Sequence, residues 1–365
     1  MRIAIPEFNK NIGSERIPFY VYKKLIEKYF NVEFINYKSI KKSDIVFLHG
    51  ERDNSNILQN KQKTNKYILF KPHKETAISC SGVNLFKRIF SYLIFFIKNK
   101  FSNKYKNNKY NFQKADLLVC DTPRISRFYS SFGYKTVYCS LIDEFDESVF
   151  EYRNQNQNIN KNEINILYTG NLSHFNSNIS QLINVLLSIK RDEKLNIKLD
   201  CLSGSYQKGK NLKRGNINLN IQFYKYSKSN LAKLLKKCDL GWVPNSYSIS
   251  RLLNFEFVKI ILTSITQKFD IIKCEKFSSN AGRSIIFAQY GIPFITNPNE
   301  ETINLFNSIS DLIFYENKNE LTYLISNLLQ YRNRISLSKK LKSIYDHEKY
   351  SFQETKKLFN AILKC

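Results

Sequence analysis

Apolar residues recur along this chain in short runs, separated by polar segments that carry a helical period. In the first half, the runs over Arg2–Ile5, Val32–Asn36, Asp44–Leu48, Tyr67–Phe70, Leu117–Cys120 and Thr136–Cys139 predict strands. Between the first two, Ile17, Tyr20, Val21, Leu25 and Phe30 fall close to helical spacing, which predicts a helix over Arg16–Phe30. Thr122-Pro123 ahead of Ile125 reads as a helix start, with threonine as N-cap and proline at the first helical position, and Gly133 as its stop. Strands alternating with helices imply parallel pairing and right-handed crossovers, hence an α/β domain over 1–150.

The polar stretch Glu151–Glu163 interrupts this pattern and reads as a linker. The alternation then restarts. Ile164–Tyr168, Leu195–Leu202, Leu219–Phe223, Leu240–Val243, Ile292–Thr296 and Leu312–Tyr315 predict strands. Ile179, Leu182, Ile183, Leu186 and Ile189 lie on one helical face, and Leu231–Lys237 is a further helix. Helices near Glu320–Tyr331, Ser336–Tyr345 and Phe352–Leu363 close the chain, so a second α/β domain is expected over 164–345.

Composition agrees with two cores. The chain has 365 residues, 42% of them hydrophobic, with 28 Phe and 23 Tyr, which excludes wholesale disorder. MRIAIPEFN reads as a first strand and not as a secretory signal, and the apolar run Ile89–Ile97 is too short to span a bilayer. The 7 cysteines form no CxxC pair and the 4 histidines are isolated, which suits a reducing cytosol and argues against structural zinc. The charge changes the picture more. With 57 Lys+Arg against 31 Asp+Glu, the net charge is +26, pointing to a polyanionic partner. Lys, Asn and Ile are abundant throughout, so part of that charge is compositional background. No basic stripe or RNP-like segment rises above it, which disfavours nucleic acid. Val83–Tyr110 interleaves aromatics with lysines, a composition suited to an anionic membrane surface; a core helix followed by a solvated basic loop is the alternative.

The stretch KFSSNAGRSIIFAQYGIPFITN (276–297) carries the most chemistry. Ser278 or Ser279 falls near the N-cap of a helix that stops at Gly291, with IPFIT as the next strand. Unpaired N–H groups at such a helix start favour a phosphate, and Arg283 one turn in adds a bidentate grip. A buried helix–strand unit capped by its serines is the plainer reading. Gly170-Asn171 directly follows a strand, where an open parallel sheet places its ligand crevice.

INILYTGNLSHFNSNISQLINVL, CDLGWVPNS and KFSSNAGRSIIFAQYGIPFI together resemble the donor domain of GT-B glycosyltransferases of the bacterial surface-polysaccharide type. IGSERIPFYVYKKL and ADLLVCDTPRISRFYSSFG resemble the acceptor domain of that family, and YSFQETKKLFNAIL its last helix. The resemblance implies two Rossmann-like domains facing across a cleft, with 346–365 crossing back to the first. It implies a nucleotide-sugar donor held by Gly170, Asn171, His174, Tyr226, Ser278, Ser279, Asn280 and Arg283. A saccharide or lipid-linked acceptor would lie near Gly13, Ser14, Arg16 and His49, with His73 as catalytic base. The family's paired glutamates are absent, since Ser278 and Ile286 stand at those places. No DxD occurs, so transfer without a metal or other cofactor is expected. The insert over 245–276 has no counterpart in the resemblance.

Overall fold

The computed structural model describes residues 1–9, 13–50, 52, 54–59, 65–70, 78–79, 114–130, 133–155, 162–189, 192–244, 246–248, 273–276 and 281–365. Two compact units divide them: the first is built chiefly from residues up to Glu144 and from His347–Cys365, the second from Phe145 to Asp346.

The first unit contains β1 (Arg2–Ile5), α1 (Gly13–Arg16), α2 (Tyr22–Tyr29), β2 (Glu33–Asn36), β3 (Ile45–His49), α3 (Ser55–Gln59), β4 (Lys66–Phe70), a two-residue β5 (Ile78–Ser79), β6 (Leu117–Cys120), α4 (Pro123–Ser130) and β7 (Thr136–Tyr138). Its sheet has the order β2-β1-β3-β4-β6-β7 and every pair is parallel. Period-2 alternation sends Ile3, Phe47, Ile68 and Phe70 to one face, and Val46, Leu48, Leu69 and Leu118 to the other. The helix expected over Arg16–Phe30 is present with a widened turn: Ile17–Val21 is π-helical and the Tyr22 N–H reaches back to the Ile17 carbonyl. Pro18, which has no N–H to donate, sits inside that turn. The Thr122 hydroxyl accepts the Ile125 N–H at 3.1 Å, the N-cap bond that the sequence implies.

The last helix, α13 (His347–Leu363), belongs to this unit. Leu358 and Ile362 enter the first core, Phe359 stacks on Phe30 at 4.0 Å, and the Glu354 carboxylate accepts the Ser140 N–H at 2.7 Å.

The second unit runs through α5 (Glu147–Gln155), β8 (Glu163–Thr169), α6 (Leu172–Ser188), β9 (Leu195–Ser203), β10 (Lys210–Arg214), β11 (Ile217–Lys225), α7 (Lys228–Lys237), β12 (Leu240–Val243), β13 (Ser246–Ser248), β14 (Lys273–Lys276), α8 (Gly282–Ala288), β15 (Phe294–Thr296), α9 (Glu300–Phe306), α10 (Ser310–Ile313), α11 (Lys318–Leu329) and α12 (Tyr331–Ile344). Its main sheet has the order β10-β11-β9-β8-β12-β15, with only the edge strand β10 antiparallel. The five parallel strands therefore follow the Rossmann order 3-2-1-4-5. On one face, Phe175 of α6 packs edge-on against Phe223 at 5.4 Å and Trp242 at 5.8 Å. On the other, Gly241 lets α8 close in, because a Cβ there would stand 2.6 Å from the Phe287 ring.

Two expectations need correction. The polar stretch Glu151–Glu163 opens in a helix, since α5 extends to Gln155. Leu312–Tyr315 is not a strand: α10 occupies Ser310–Ile313, and only a single bridge joins Phe314 to Thr296. Its alternation arises because Ile313 and Tyr315 are buried from the end of a helical turn. The strand β10 escaped detection because KNLKR, at an exposed sheet edge, has almost no apolar residue to betray it.

Candidate functional site

In the second sheet the chain turns from β8 toward β9 on one side and reaches β12 on the other. This switch point leaves a crevice at the carboxyl ends of β8 and β12. Gly170 lies there with φ +148, a conformation open to glycine, and its N–H donates to the Leu202 carbonyl at 3.0 Å. A Cβ on Gly170 would stand 2.9 Å from the Tyr168 hydroxyl and 3.3 Å from Arg283 Nη1. Arg283 thus lies directly over the glycine backbone. Its Nη2 donates to the Pro244 carbonyl at 3.1 Å and its Nη1 faces the Tyr168 hydroxyl at 3.5 Å, both uncharged oxygens. The Tyr168 hydroxyl in turn donates to the Asn171 carbonyl at 2.6 Å. Arg283 thereby spans the crevice from Tyr168 to Pro244.

The 17-residue helix α6 starts immediately after Asn171, whose carbonyl accepts the His174 N–H at 3.0 Å. Its amino end adds partial positive charge beside Arg283. Gly170, Asn171, His174 and Arg283 are therefore brought to one place. His174 is buried and its carbonyl accepts from Asn178 Nδ2 at 2.9 Å. Tyr226 lies farther along the same edge, where its N–H donates to the Ser203 carbonyl at 2.7 Å.

Beneath the crevice are residues that the sequence reading did not single out. Trp242 Nε1 donates to the Tyr315 hydroxyl at 3.2 Å, and Asn297 Nδ2 donates to the Tyr315 carbonyl at 2.8 Å. Burial pushes the Tyr315 phenol far up, against the opposing charge of Arg283. The chain's single tryptophan, inside CDLGWVPNS, was the available signal.

Ser278, Ser279, Asn280 and His73 lie outside the described residues, as do the 83–110 segment and most of the 245–276 insert. The helix α8 begins after Ala281. Ala281 occupies the cap position, and its N–H donates to the carboxylate of Glu301 at 2.6 Å. Glu301, buried at 3% exposure, already places an anion at the first described N–H of that helix.

In the first unit, Gly13 and Ser14 form the first turn of α1. Arg16 is buried, and its fork is gripped by Asp143 through Nε–Oδ1 at 3.0 Å and Nη2–Oδ2 at 2.5 Å. That ion pair fastens the first helical run to the segment after β7. His49 ends β3, buried 5.8 Å from the Phe19 ring, and borders a hollow of about 340 Å³.

No protein-family description matches the chain, and neither does any curated protein. Solved structures do. An α-glucosyltransferase in complex with UDP and a 13-mer DNA containing a HMU base aligns over 100% of this chain and 99% of its own, with TM-score 0.56 and 11% identity. A trehalose-6-phosphate synthase studied for glycosyl transfer with retention aligns over 98% and 86%, with TM-score 0.54 and 10% identity. WaaG, a glycosyltransferase involved in lipopolysaccharide biosynthesis, aligns over 97% and 98%, with TM-score 0.53 and 10% identity. With two parallel-sheet Rossmann-like units and these neighbours along its whole length, the chain has the fold of the GT-B glycosyltransferases.

Proposed function

We propose that the protein is a glycosyltransferase that moves a sugar from a nucleotide-sugar donor to a saccharide or lipid-linked saccharide acceptor in cell-surface polysaccharide biosynthesis. The observation that carries this reading is Arg283 held over the bare backbone of Gly170 at the switch point, beside the amino end of α6. The donor diphosphate fits there. The glycine admits its oxygens to the backbone, and Arg283 and the helix dipole oppose its charge. As the acceptor hydroxyl attacks the anomeric carbon, the bond to the diphosphate breaks and these groups receive the departing charge, with no metal required. Ser278, Ser279 and Asn280 would supply further N–H groups, Tyr226 would flank the base, and His73 would take the acceptor proton.

Among the described residues, no helix is long and apolar enough to cross a membrane. Peripheral attachment on the inner membrane face rests on the composition of Val83–Tyr110, and failure to sediment with anionic liposomes at low salt would exclude it. A polynucleotide acceptor is the second reading, favoured by the net charge of +26 and by the neighbour solved with DNA. The deciding experiment follows nucleoside diphosphate release from a panel of nucleotide sugars, with saccharide or DNA acceptors and with or without EDTA. Release from one donor, insensitive to EDTA and stimulated by a saccharide, is expected; no release from any donor would refute the proposal.

A further inference from the structure

The first sheet has its own switch point between β1 and β3, and the 340 Å³ hollow lies there, bordered by Pro6 and Glu7 after β1, Asn36 at the end of β2 and Tyr37 after it, and His49 at the end of β3. We propose that this hollow binds one uncharged sugar ring, as the acceptor's terminal residue. The acceptor role rests on the glycosyltransferase reading, whereas the binding does not.

A chain of net charge +26 leads one to expect an anion in any polar hollow. The wall chemistry points the other way. Its guanidinium, Arg52, is already committed: Nη2 pairs with Glu15 Oε1 at 2.7 Å and Nη1 donates to the Glu7 carbonyl at 2.8 Å. Lys38 and Glu7 add one charge of each sign to the lining. Asn54 gives Nδ2 to the His49 carbonyl at 2.9 Å and the Arg52 carbonyl at 3.1 Å, so what it offers a ligand is the acceptor Oδ1. Asn36 Oδ1 accepts the Lys38 N–H at 3.1 Å, which leaves its Nδ2 as a donor. The Tyr37 hydroxyl is taken by the Phe47 carbonyl, leaving its ring with Pro6 and Ile57 as apolar wall. Acceptors to receive hydroxyl protons, one amide donor and an apolar wall for C–H groups suit a sugar. They oppose a phosphate, which brings only acceptors and would face Glu7. The volume falls at the lower end of the ~300–1,000 Å³ typical of small-molecule sites, enough for a single ring.

The test is saturation-transfer NMR on the full chain with methyl glycosides of glucose, galactose, mannose and N-acetylglucosamine, against glucose 6-phosphate and inorganic phosphate. A neutral glycoside should bind and the phosphates should not. Glu7→Lys, at an exposed position, should weaken the glycoside about tenfold or more and let glucose 6-phosphate bind. Tighter binding of either phosphate to the wild type, no glycoside bound at tens of millimolar, or indifference to Glu7→Lys would overturn the assignment. UDP titrated into the same samples separates the two proposals. UDP binding without any glycoside binding sinks the hollow alone, and glycoside binding without UDP sinks the donor reading alone.

Discussion

Replacing Gly170 with alanine adds one methyl group at the centre of the crevice. Two costs follow from the geometry. The backbone φ of +148 is one that L-residues rarely adopt, which costs about 1–3 kcal/mol. The new Cβ would also stand 2.9 Å from the Tyr168 hydroxyl, which must shift, and 3.2 Å from Arg283 Cδ, which must give way with it by a few tenths of an ångström. At roughly 2–4 °C per kcal/mol for a unit of this size, melting should fall by about 2–12 °C. Losing the charge-assisted grip of Arg283 on a diphosphate, worth about 1.5–3 kcal/mol, should weaken the nucleotide about 10- to 150-fold. Calorimetry on the folded variant below its melting point separates the two effects. A Gly170→Ala protein that melts and binds like the wild type would refute the close approach of Arg283 to this backbone. One that melts lower but binds normally would refute only its link to the donor.

Glu301→Ala removes the buried carboxylate that accepts the Ala281 N–H and should destabilise the second unit by about 1.5–3 kcal/mol in urea unfolding, while Glu301→Gln, which still accepts, should lose less. Asp200 is buried in β9, and burial pushes its carboxyl up to about 6 against the opposing charges of Lys198 and Lys237. The folded pKa is above the unfolded one, so Asp200's contribution is most favourable below about pH 4 and is lost as pH rises through 6. Asp200→Asn should therefore be more stable than wild type at pH 7.5, by about 1–3 kcal/mol, and the gain should vanish near pH 4; a gain independent of pH would contradict this. His73→Ala should lower kcat about 10²- to 10⁴-fold with nucleotide affinity unchanged, and an unaltered kcat would remove His73 as the base.

Most of this architecture was legible because parallel strands buried on both faces leave uninterrupted apolar runs. Leu117–Cys120 and Leu240–Val243 are such runs, and their ends were read to the residue. Local cues carried less far. The run at Leu312–Tyr315 has strand-like alternation, yet Ser310–Ile313 closes a helical turn because tertiary burial decides there. The site was legible where a backbone requirement shows in the sequence, as with Gly170 after a strand. It was illegible where long-range partners define it. Nothing near Ala281 announces that Glu301, twenty residues on, supplies its cap. Nothing near Arg16 announces Asp143, 127 residues away, as the partner of its guanidinium. Side chains committed to distant partners read like available ones until the fold is known.

The most direct measurement is calorimetric titration of UDP, GDP, CDP and dTDP into the wild type and Arg283→Ala. One nucleotide should bind in the micromolar range and lose about tenfold or more in the variant, whose melting should stay close to wild type. Binding of none, or equal binding to both proteins, would contradict a donor diphosphate at the Gly170–Arg283 crevice.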